Sequence, residues 1–400
     1  MLKTGRTGIL QRAVQRAFYG SQYLGAPFEL GPKNDQYREL NDMYSELFTG
    51  GDSKSPQNRK ISMESEIDEL NSELQETFNI KSGGISSQDL ERIVSSPGRF
   101  IIESKSNNPF YNLALEDYVF RHTPIVKNSS FDSERLLFYI NKPSVVIGKN
   151  QTPWRELYLE NCAAKGYHYL RRKSGGGAVV HDLGNVNYSF LTSRDNFDRE
   201  YFNRLLVNWL RQHCPSAAIG LNERSDITLG SKKVSGSAFK IARGKAYHHG
   251  TMLVSSDLRQ FSGLLKPDKV EDVQWHGGSV ESVRSHVTNI SGEVVEDVDE
   301  FIDICIRGFK SLYREALPVY YCTESDTITD DIASTMELLQ SNDWLYMSSP
   351  KFSLKIQSHS LTVEKGIVTE STIKDAQGMR FSDFVHCANN HLISEIHTKL

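Results

Sequence analysis

From residue 99 onward, short apolar runs alternate with segments whose apolar residues recur at helical spacing. The segment "NNPFYNLALEDYVFR" predicts a helix that begins after Asn108, because an Asn side chain caps the first free amides and Pro109 fits the first turn. The run "SVVIGKNQTPWRELYLENCAAKGY" predicts a strand that ends at Gly148 and a second helix that begins at Pro153. Strands that alternate with covering helices indicate an α/β or α+β fold.

The same alternation continues through the middle of the chain. The segment "FDREYFNRLLVNWLRQHC" predicts a helix with one apolar face, formed by Phe202, Leu205, Leu206, Trp209 and Leu210. The segments "DITL", "KVSGSAFKIAR" and "AYHHGTMLV" then predict consecutive strands. Beyond about residue 325 the pattern predicts a helix, antiparallel strands and a last helix. We therefore expect a larger α/β domain over 99–324 and a small α+β accessory domain over 325–400.

The first 98 residues differ from the rest. Residues 1–30 are basic and have apolar positions near helical spacing, and they contain no acidic residue before Glu29. This pattern is typical of a mitochondrial targeting segment, although a basic tail or a surface helix would have the same composition. Residues 31–98 are polar, and we interpret them as a linker or an extension.

Composition and charge exclude several classes of protein. The 400 residues carry a formal charge of -4, so no global charge favours nucleic acid or an anionic membrane, and any anion site must be local. The five cysteines are far apart and odd in number, which favours neither a disulfide framework nor a clustered zinc site. No apolar run approaches the roughly 20 residues that span a bilayer. The composition predicts a soluble protein that binds no nucleic acid.

The stretch "YHYLRRKSGGGAVVHDLGNVNYSF", residues 167–190, places a basic triplet against three glycines between two predicted strands. Gly175, Gly176 and Gly177 allow positive φ angles and a close approach of a ligand, and successive amides can converge on an anion. Arg172 and its basic neighbours add full charges. The stretch therefore predicts a site for a phosphate and one end of an acyl substrate, and a glycine-rich hairpin is the alternative. Its spacing fits neither a P-loop nor a dinucleotide-binding fingerprint.

A second concentration of candidate residues lies in "RSDITLGSKKVSGSAFKIARGKAYHHGTM". Lys232 and Lys233 begin a predicted strand that contains Gly236 and small neighbours, so a lysine side chain could reach across a groove. A lysine ammonium suits phosphate oxygens, and an exposed edge-strand pair of lysines is the alternative. His248 and His249 are adjacent strand residues that face opposite sides, so they cannot readily chelate one metal ion together.

These motifs resemble a known enzyme family. In order along the chain, "RRKSGGGAVVHDLGNVNYSF", "KKVSGSAFKI" and "AYHHGTMLVSSDL" are similar to motifs of the lipoate-protein ligase A family. The segments "NPFYNLALEDYVF", "IGKNQTPWRE" and "SVRSHVTNI" also match, and the region from "NDWLY" to "LTVEKGIV" resembles that family's accessory C-terminal domain. The resemblance covers residues 99–400 and leaves residues 1–98 outside.

The resemblance implies a fold and a reaction. Members of the family have a mixed-sheet catalytic domain of the biotin and lipoate ligase type, related to class II aminoacyl-tRNA synthetases. They activate lipoate with ATP and Mg²⁺ to lipoyl-adenylate and pass the acyl group to a lysine. The implied substrates are lipoate or octanoate, and the implied acceptors are lipoyl domains of the acyltransferase subunits of 2-oxoacid dehydrogenase complexes and the glycine-cleavage carrier protein. The implied location is the mitochondrial matrix.

The resemblance also assigns residues. Lys233 matches the lysine that touches both the adenylate phosphate and the acyl carbonyl, and it is the predicted catalytic residue. The predicted nucleotide and acyl-adenylate contacts are Arg172, Gly175, Gly176, Gly177, Ala178, Val179, Val180, Asp226 and Lys233. The predicted acyl-binding residues are Leu170, Arg172, Val180, His181 and Lys233. No protein ligand is assigned to a metal, because Mg²⁺ is expected to arrive with ATP, and its expected position is near Asp226.

One departure from the family pattern leaves an alternative open. The family often has Asn-Asp before the lysine strand, whereas this chain has Ser225-Asp226. An altered contact there would affect activation by ATP, so a lipoyl- or octanoyltransferase that uses acyl-CoA or an acylated carrier protein is the alternative. A biotin-ligase-like enzyme fits less well, because the patterns "SGGGAVVHD" and "KVSGSA" match the lipoate branch better than the biotin branch. A noncatalytic regulatory or lipoyl-domain-binding protein also fits less well, since it would have no need to keep both the triple glycine and Lys233. Lipoate and octanoate both stay open as substrates.

Overall fold

The computed structural model describes residues 83–125, 131–267 and 273–386. The predicted targeting segment 1–30 and most of the predicted extension 31–98 lie outside the described residues. The α-helices, numbered along the chain, are α1 (Ser87–Ser95), α2 (Pro109–His122), α3 (Pro153–Glu156), α4 (Leu159–Ala164), α5 (Tyr201–His213), α6 (Val298–Tyr313), α7 (Asp330–Gln340) and α8 (Phe381–His386). A π-helical turn follows α7 at Asp343–Met347.

The strands are short and are distributed along most of the described chain. They are β1 (Gly83–Gly84), β2 (Phe100–Ser104), β3 (Arg135–Ile140), β4 (Ser144–Ile147), β5 (His168–Arg171), β6 (Val179–His181), β7 (Asn185–Ser193), β8 (Ile219–Leu221), β9 (Ile227–Leu229), β10 (Lys232–Lys233), β11 (Ser237–Ala242), β12 (Lys245–Leu253), β13 (Val273–Gly277), β14 (Val319–Cys322), β15 (Phe352–Ile356), β16 (His359–Glu364) and β17 (Ile367–Ser371).

The central sheet is mixed, as the resemblance implies. Its seven strands lie in the order β1-β14-β2-β3-β7-β12-β11. The first four of these strands pair in parallel, and β3, β7, β12 and β11 pair antiparallel. Three smaller sheets have the orders β10-β9-β8, β5-β4-β6 and β13-β15-β16-β17. The predicted α/β fold with mixed sheets is therefore confirmed.

The two faces of β7 explain how the central sheet is covered. Val186, Tyr188 and Phe190 pack into a core with apolar side chains of α5 and α6. Asn187 and Ser189 alternate with them and are buried polar residues on the opposite face. On that second face, α2 and the β5-β4-β6 sheet contribute to a separate core. A polar strip is thus enclosed between the central sheet and the small sheet.

Local signals gave some helix bounds correctly and others wrongly. The Asn108 side chain accepts the Phe110 amide at the start of α2, as predicted. The predicted helix does begin at Pro153, but as α3 it has only four residues. The helix ends at Glu156, and a separate helix, α4, begins at Leu159. Thr152, which precedes α3, makes no capping hydrogen bond through its side chain, which leaves the first turn without that stabilisation.

The folded region extends back to residue 83, into the segment interpreted from sequence as a polar extension. Within α1, Leu90 and Val94 are fully buried against the core that contains α2. The buried Arg135 guanidinium also donates to the Val94 carbonyl at 2.8 Å and to the Ser96 carbonyl at 2.7 Å. A short amphipathic helix with two buried residues therefore joins the fold although its composition is polar.

The predicted strand "KVSGSAFKIAR" is split in the structure, which corrects that expectation. Lys232 and Lys233 form β10 in the small β10-β9-β8 sheet, whereas Ser237–Ala242 form β11 in the central sheet. Between them the Gly236 amide donates to the Thr251 hydroxyl at 3.0 Å rather than to a sheet partner. The split places Lys233 in the small sheet, four residues before the central-sheet strand β11 begins.

The last part of the described chain forms the β13-β15-β16-β17 sheet and α8. Strand β13 comes from before residue 324 and pairs with β15. All described residues belong to one compact unit. The division into a catalytic domain 99–324 and an accessory domain 325–400 stays a prediction. Within the part of the chain that the structure describes, no helix is long and apolar enough to cross a membrane.

Candidate active site

A cavity of about 300 Å³ lies between the polar face of the central sheet and the small β5-β4-β6 sheet. It brings together most of the predicted site residues, which come from distant parts of the chain. Those that line it are Arg172, Gly176, Gly177, Ala178, Val179, His181, Asp226 and Lys233. The cavity is therefore the candidate active site.

Three predicted site residues do not line the cavity. Leu170 is fully buried in the core beneath α2, and Val180 packs into a different core with Val145 and Ile147. Val180 lies between Val179 and His181 on a strand, so its side chain faces the opposite side from theirs. Gly175 lies behind the lining, where its carbonyl accepts hydrogen bonds from Arg172.

The glycine loop connects β5 to β6, as the sequence predicted. Arg172 Nη2 donates to the carbonyls of Gly175 at 2.5 Å and Gly177 at 2.9 Å, which turns these oxygens toward the guanidinium. Gly176 has a φ of 90°, a backbone conformation that residues with a Cβ rarely adopt. The amides of residues 175–177 donate to no described residue. The loop thus keeps three consecutive N–H groups for an anion.

The Arg172 side chain is buried next to this loop and hydrogen-bonds to its backbone. Among the described residues its guanidinium donates to the Ser174 hydroxyl and to the carbonyls of Val146, Gly175 and Gly177, and Arg172 is 4% exposed. Burial lowers the pKa of Arg172 to about 10, a value at which the side chain is still charged at neutral pH. Arg172 therefore brings a fixed positive charge to the cavity wall and shapes the glycine loop as well.

A second glycine makes the loop geometry possible. Gly148, at the end of β4, lies directly beneath Gly176. A Cβ at Gly148 would come within 2.0 Å of the Gly176 carbonyl oxygen. The close approach of these two backbones therefore requires glycine at position 148.

A buried hydrogen-bonded chain lies behind the loop. Glu116 of α2 accepts from His249 Nδ1, which is 3.0 Å from both carboxylate oxygens. His249 Nε2 lies 2.8 Å from the Ser174 hydroxyl, and Arg172 Nε donates to that same hydroxyl at 3.0 Å. Ser174 is 1% exposed, so the chain does not present a nucleophile to the cavity. It connects α2 and β12 to the guanidinium that shapes the loop.

Lys233 lies across the cavity and forms an ion pair with Asp226. Its Nζ is 2.8 Å from Asp226 Oδ1, and both side chains are mostly buried. The backbone of Lys233 is held on both sides, since its amide donates to the His286 carbonyl and its carbonyl accepts from Thr288. The ammonium group can change partner by side-chain rotation while the strand stays in place.

The Ser225-Asp226 departure has a structural basis. Ser225 has a φ of 63°, the left-handed region in which Asn is more favourable than Ser. Its hydroxyl donates to Glu200 at 2.6 Å, and Asn222 Oδ1 accepts the Asp226 amide at 3.0 Å. The turn therefore holds Asp226 beside Lys233 without an Asn at position 225.

The segment 279–284 covers the glycine loop from the other side. The Ser282 hydroxyl accepts the Ala178 amide at 2.8 Å and a Gln151 amide proton at 3.0 Å, and it donates to Glu156. Burial raises the pKa of the Glu156 carboxyl. The first amide after the three glycines, that of Ala178, is therefore already hydrogen-bonded to Ser282.

A cluster of charges surrounds Asp117 on α2, next to the loop. Its carboxylate contacts Lys173, Lys240 and Arg121 at 2.7 to 2.8 Å. Burial would raise the pKa of Asp117, but the neighbouring lysines outweigh it and lower the value to about 2. Lys173, the third residue of the basic triplet, is thereby directed to α2 and does not line the cavity.

His181 lines the inner end of the cavity in a neutral form. Asn141 Nδ2 donates to His181 Nδ1 at 3.0 Å, so this nitrogen is the acceptor. Burial and the charge of Arg172 lower the pKa of His181 to about 3. The proton of the neutral ring is therefore on Nε2.

Metal ligands are sparse in the described part of the chain. It contains no group of three or more His, Cys, Asp or Glu side chains that could hold a metal ion. Asp226 is a carboxylate that lines the cavity, and its partner is Lys233. This donor set does not fit a resident metal. It fits a Mg²⁺ ion that enters with nucleotide phosphates, since such ions typically use one or two carboxylates.

Several cavity residues were missed by the sequence analysis. Glu116, Arg224, His249 and Ser282 all lie in or behind the cavity wall. Glu116 carried a usable signal, because a charged pair inside the otherwise apolar "NLALEDYVF" helix is unusual unless it has partners. Ser282 carried none, since it lies in an irregular segment far along the chain from the loop that it contacts.

Comparison with known proteins identifies relatives across most of the chain. A family model for the lipoyl protein ligase A/B catalytic domain matches residues 108–310. A Saccharomyces cerevisiae protein provisionally named lipoate-protein ligase A is 43% identical over 369 residues, which cover 88% of this chain and 89% of that protein. The Homo sapiens protein named lipoyl amidotransferase LIPT1, mitochondrial, is 32% identical over 272 residues, which cover 65% of this chain and 69% of that protein.

A solved structure has the same fold. The crystal structure of P. falciparum LipL1 in complex with lipoate superposes with a TM-score of 0.54 at 24% identity. The superposition covers 75% of this chain and 98% of that one. The mixed-sheet architecture is thus the one found in that protein.

Proposed function

The chain belongs to the lipoyl protein ligase A/B catalytic-domain family, and we propose that it carries out both steps of protein lipoylation. It is an enzyme of the lipoate-protein ligase and lipoyltransferase class, as its relatives are. The proposal is that it activates lipoate with ATP to lipoyl-adenylate and then transfers the lipoyl group to a lysine of a lipoyl domain. Octanoate is the alternative acyl substrate.

One observation carries the proposal. One cavity is lined by Gly176 and Gly177 of the loop, whose amides donate to no described residue, and by Arg172 and Lys233, and its wall also includes Leu113 and Val146. Such a wall suits an acyl chain, because each buried methylene contributes about 0.8 kcal/mol to binding. Amides and fixed cations suit a polyphosphate. A single cavity therefore has the chemistry for both halves of an acyl-adenylate.

In the activation step, the lipoate carboxylate attacks the α-phosphate of ATP, and pyrophosphate leaves. Two anions must meet, so preorganised donors are needed where negative charge accumulates. In this proposal the amides of residues 175–177 and Arg172 hold the phosphate. Lys233 leaves Asp226 and contacts both the phosphate and the acyl oxygen. Mg²⁺, entering with ATP near Asp226, would neutralise phosphate charge.

In the transfer step, an uncharged lysine of the acceptor attacks the acyl carbonyl of the mixed anhydride, and AMP leaves. Lys233 again is placed to stabilise the oxyanion that forms on the carbonyl. No enzyme nucleophile is required, which agrees with the burial of Ser174. Of the cysteines in the described part of the chain, none lines the cavity.

A transferase that uses a preactivated donor is the second candidate. It is supported by Ser225 in place of the family's Asn before Asp226 and by the name of the Homo sapiens relative, a lipoyl amidotransferase. Such an enzyme would need the acyl pocket and Lys233, but not efficient binding of the ATP β- and γ-phosphates. The two candidates therefore differ only in the first step.

The proposed acceptors are lipoyl domains of 2-oxoacid dehydrogenase acyltransferase subunits, with the glycine-cleavage carrier as a second acceptor. The proposed location is the mitochondrial matrix, supported by the basic segment 1–30 and by the mitochondrial name of the Homo sapiens relative. Fusion of residues 1–30 to a fluorescent protein tests the location. Import into mitochondria is expected, and a cytosolic signal would contradict it.

The two steps can be measured separately. Without an acceptor, the full chain with lipoate and MgATP should release pyrophosphate and form lipoyl-adenylate. With lipoyl-adenylate supplied, it should acylate a purified lipoyl domain. Transfer without activation would reject the ligase proposal and leave the transferase. Absence of both steps would reject the proposed function altogether.

A further inference from the structure

The inner end of the cavity contains one polar group that lacks a partner. His181 Nε2 is buried and makes no hydrogen bond with any described residue. The neighbouring polar groups of the wall are all used: the Tyr139 hydroxyl donates to Glu116, and the Asn187 amide donates to the Tyr139 carbonyl. His249 is bonded at both ring nitrogens. A single N–H donor thus remains in this part of the wall.

A chain of fixed amides determines that this nitrogen is a donor. Asn112 Nδ2 donates to the carbonyls of Ser106 at 2.8 Å and Ile140 at 3.3 Å, which can only accept and therefore orient that amide. Asn112 Nδ2 donates to Asn141 Oδ1 at 2.8 Å, and Asn141 Nδ2 donates to His181 Nδ1 at 3.0 Å. Each amide can take only one orientation in this chain. The neutral imidazole must therefore carry its proton on Nε2.

The position of His181 corresponds to the tail of a bound acyl chain. Val179 and His181 face the same side of β6, and His181 is about 7 Å farther from the glycine loop at the strand rise per residue. Val179 lies near Gly236, three residues after Lys233, which is where the acyl carbonyl is expected. His181 is bonded to Asn141, which directly follows β3, and β3 lies three strands away from β11 in the central sheet. The free donor is therefore at the end remote from the reacting carbonyl.

We propose that His181 selects the dithiolane ring of a lipoyl chain over the methyl end of an octanoyl chain, by donating from Nε2 to a ring sulfur. This inference rests on the proposed function. Sulfur is a weak acceptor, but a methyl group is none, and a buried donor without any partner is disfavoured more than a weak bond is favoured. The open choice between lipoate and octanoate is thereby assigned to lipoate.

The test compares ligands that do or do not carry a hydrogen-bond acceptor at the end of the acyl chain. Cyclopentylpentanoate has the same ring size and chain as lipoate, with CH₂ groups in place of both sulfurs. Calorimetric binding of lipoate, cyclopentylpentanoate and octanoate to the full chain requires no turnover. We expect lipoate to bind about tenfold more tightly than its carbocyclic isostere, the scale of one weak hydrogen bond. Equal affinities for these two ligands would overturn the inference.

Two variants separate the donor from the shape of the pocket. His181→Phe removes the donor and keeps a planar ring, so the ratio of lipoate to isostere affinity should fall to within about twofold. His181→Gln offers an amide N–H near the Nε2 position, so it should keep most of the preference. A His181→Phe protein that folds and retains the full ratio would overturn the inference. If that variant does not fold, the wild-type ratio and His181→Gln still decide.

Failure of the proposed function would be seen separately. The same ligands are supplied as adenylates with a lipoyl domain as acceptor. No transfer from any adenylate would reject the function, while the calorimetric ratio would still test the role of His181. Transfer from lipoyl and cyclopentylpentanoyl adenylates with equal kcat/KM would reject the selectivity alone.

Discussion

The contact between Gly148 and Gly176 gives the sharpest prediction about the glycine loop. In Gly148→Ala the new Cβ would come within 2.0 Å of the Gly176 carbonyl oxygen, where Cβ contacts under 3.0 Å are essentially never found. The loop must therefore retreat by about 1 Å, a displacement that can reduce catalysis about a hundredfold. The strain should also destabilise the fold by about 1 to 3 kcal/mol, as overpacking does.

The assay is the steady-state rate of lipoyl transfer at varied ATP, together with thermal unfolding. We expect Gly148→Ala to lower kcat/KM for ATP by about a hundredfold, because the amides of residues 175–177 no longer converge on the phosphate. Gly175→Ala should lower it less, because a Cβ there meets nothing within 4 Å and its φ is not positive. Gly278→Ala, also in open space and outside the loop, is the control for the alanine change itself.

The ranking of the variants is the decisive result. A Gly148→Ala protein with the activity of Gly278→Ala would refute the loop geometry. A Gly175→Ala protein that is impaired as strongly as Gly148→Ala would also refute it, because the damage would then not follow the contact.

Three further variants test other parts of the site. Lys233→Ala should lower kcat about 10²- to 10³-fold in a protein that still folds, as loss of one preorganised donor does. The control is exposed Lys232→Ala, and equal rates for the two variants would contradict the role of Lys233. Ser282→Ala removes the hydroxyl that donates to Glu156 and should cost about 1 to 3 kcal/mol in urea unfolding, so an unchanged midpoint would exclude this bond as a stabilising one. Asp117 has a pKa of about 2 in the folded protein against 3.8 ordinarily, so it contributes about 2 kcal/mol above pH 4 that is lost as the pH falls toward 2. Asp117→Asn should be less stable at neutral pH and show a smaller loss of stability over that acid range, and parallel pH profiles would contradict the ion-pair assignment.

Features that depend on neighbouring residues could be predicted from the sequence. The Asn108 cap, the apolar face of α5 and the strand-loop-strand around the glycines follow from spacing within one turn or one strand. The mixed sheet and the gathering of Arg172 and Lys233 came from the resemblance, since nothing local indicates which strands pair.

Features that depend on long-range contacts could not be predicted. Ser282 and Ala178 are 104 residues apart, and His249 and Glu116 are 133 residues apart, and neither pair has a pattern that links its members. The split between β10 and β11 arises because Thr251, on another strand, accepts the Gly236 amide. Val180 was assigned to the site by its place in the motif, but strand alternation turns its side chain away from the cavity.

The most direct test of the account is the mass of a purified lipoyl domain after incubation with the full chain, lipoate and MgATP. The account predicts a gain of one lipoyl group on the wild-type acceptor and none on an acceptor whose target lysine is replaced by arginine. It also predicts that the gain is about 10²- to 10³-fold slower when the enzyme carries Lys233→Ala. An unchanged acceptor mass with lipoate and MgATP, and likewise with supplied lipoyl-adenylate, would contradict the claim that this cavity attaches lipoate to protein.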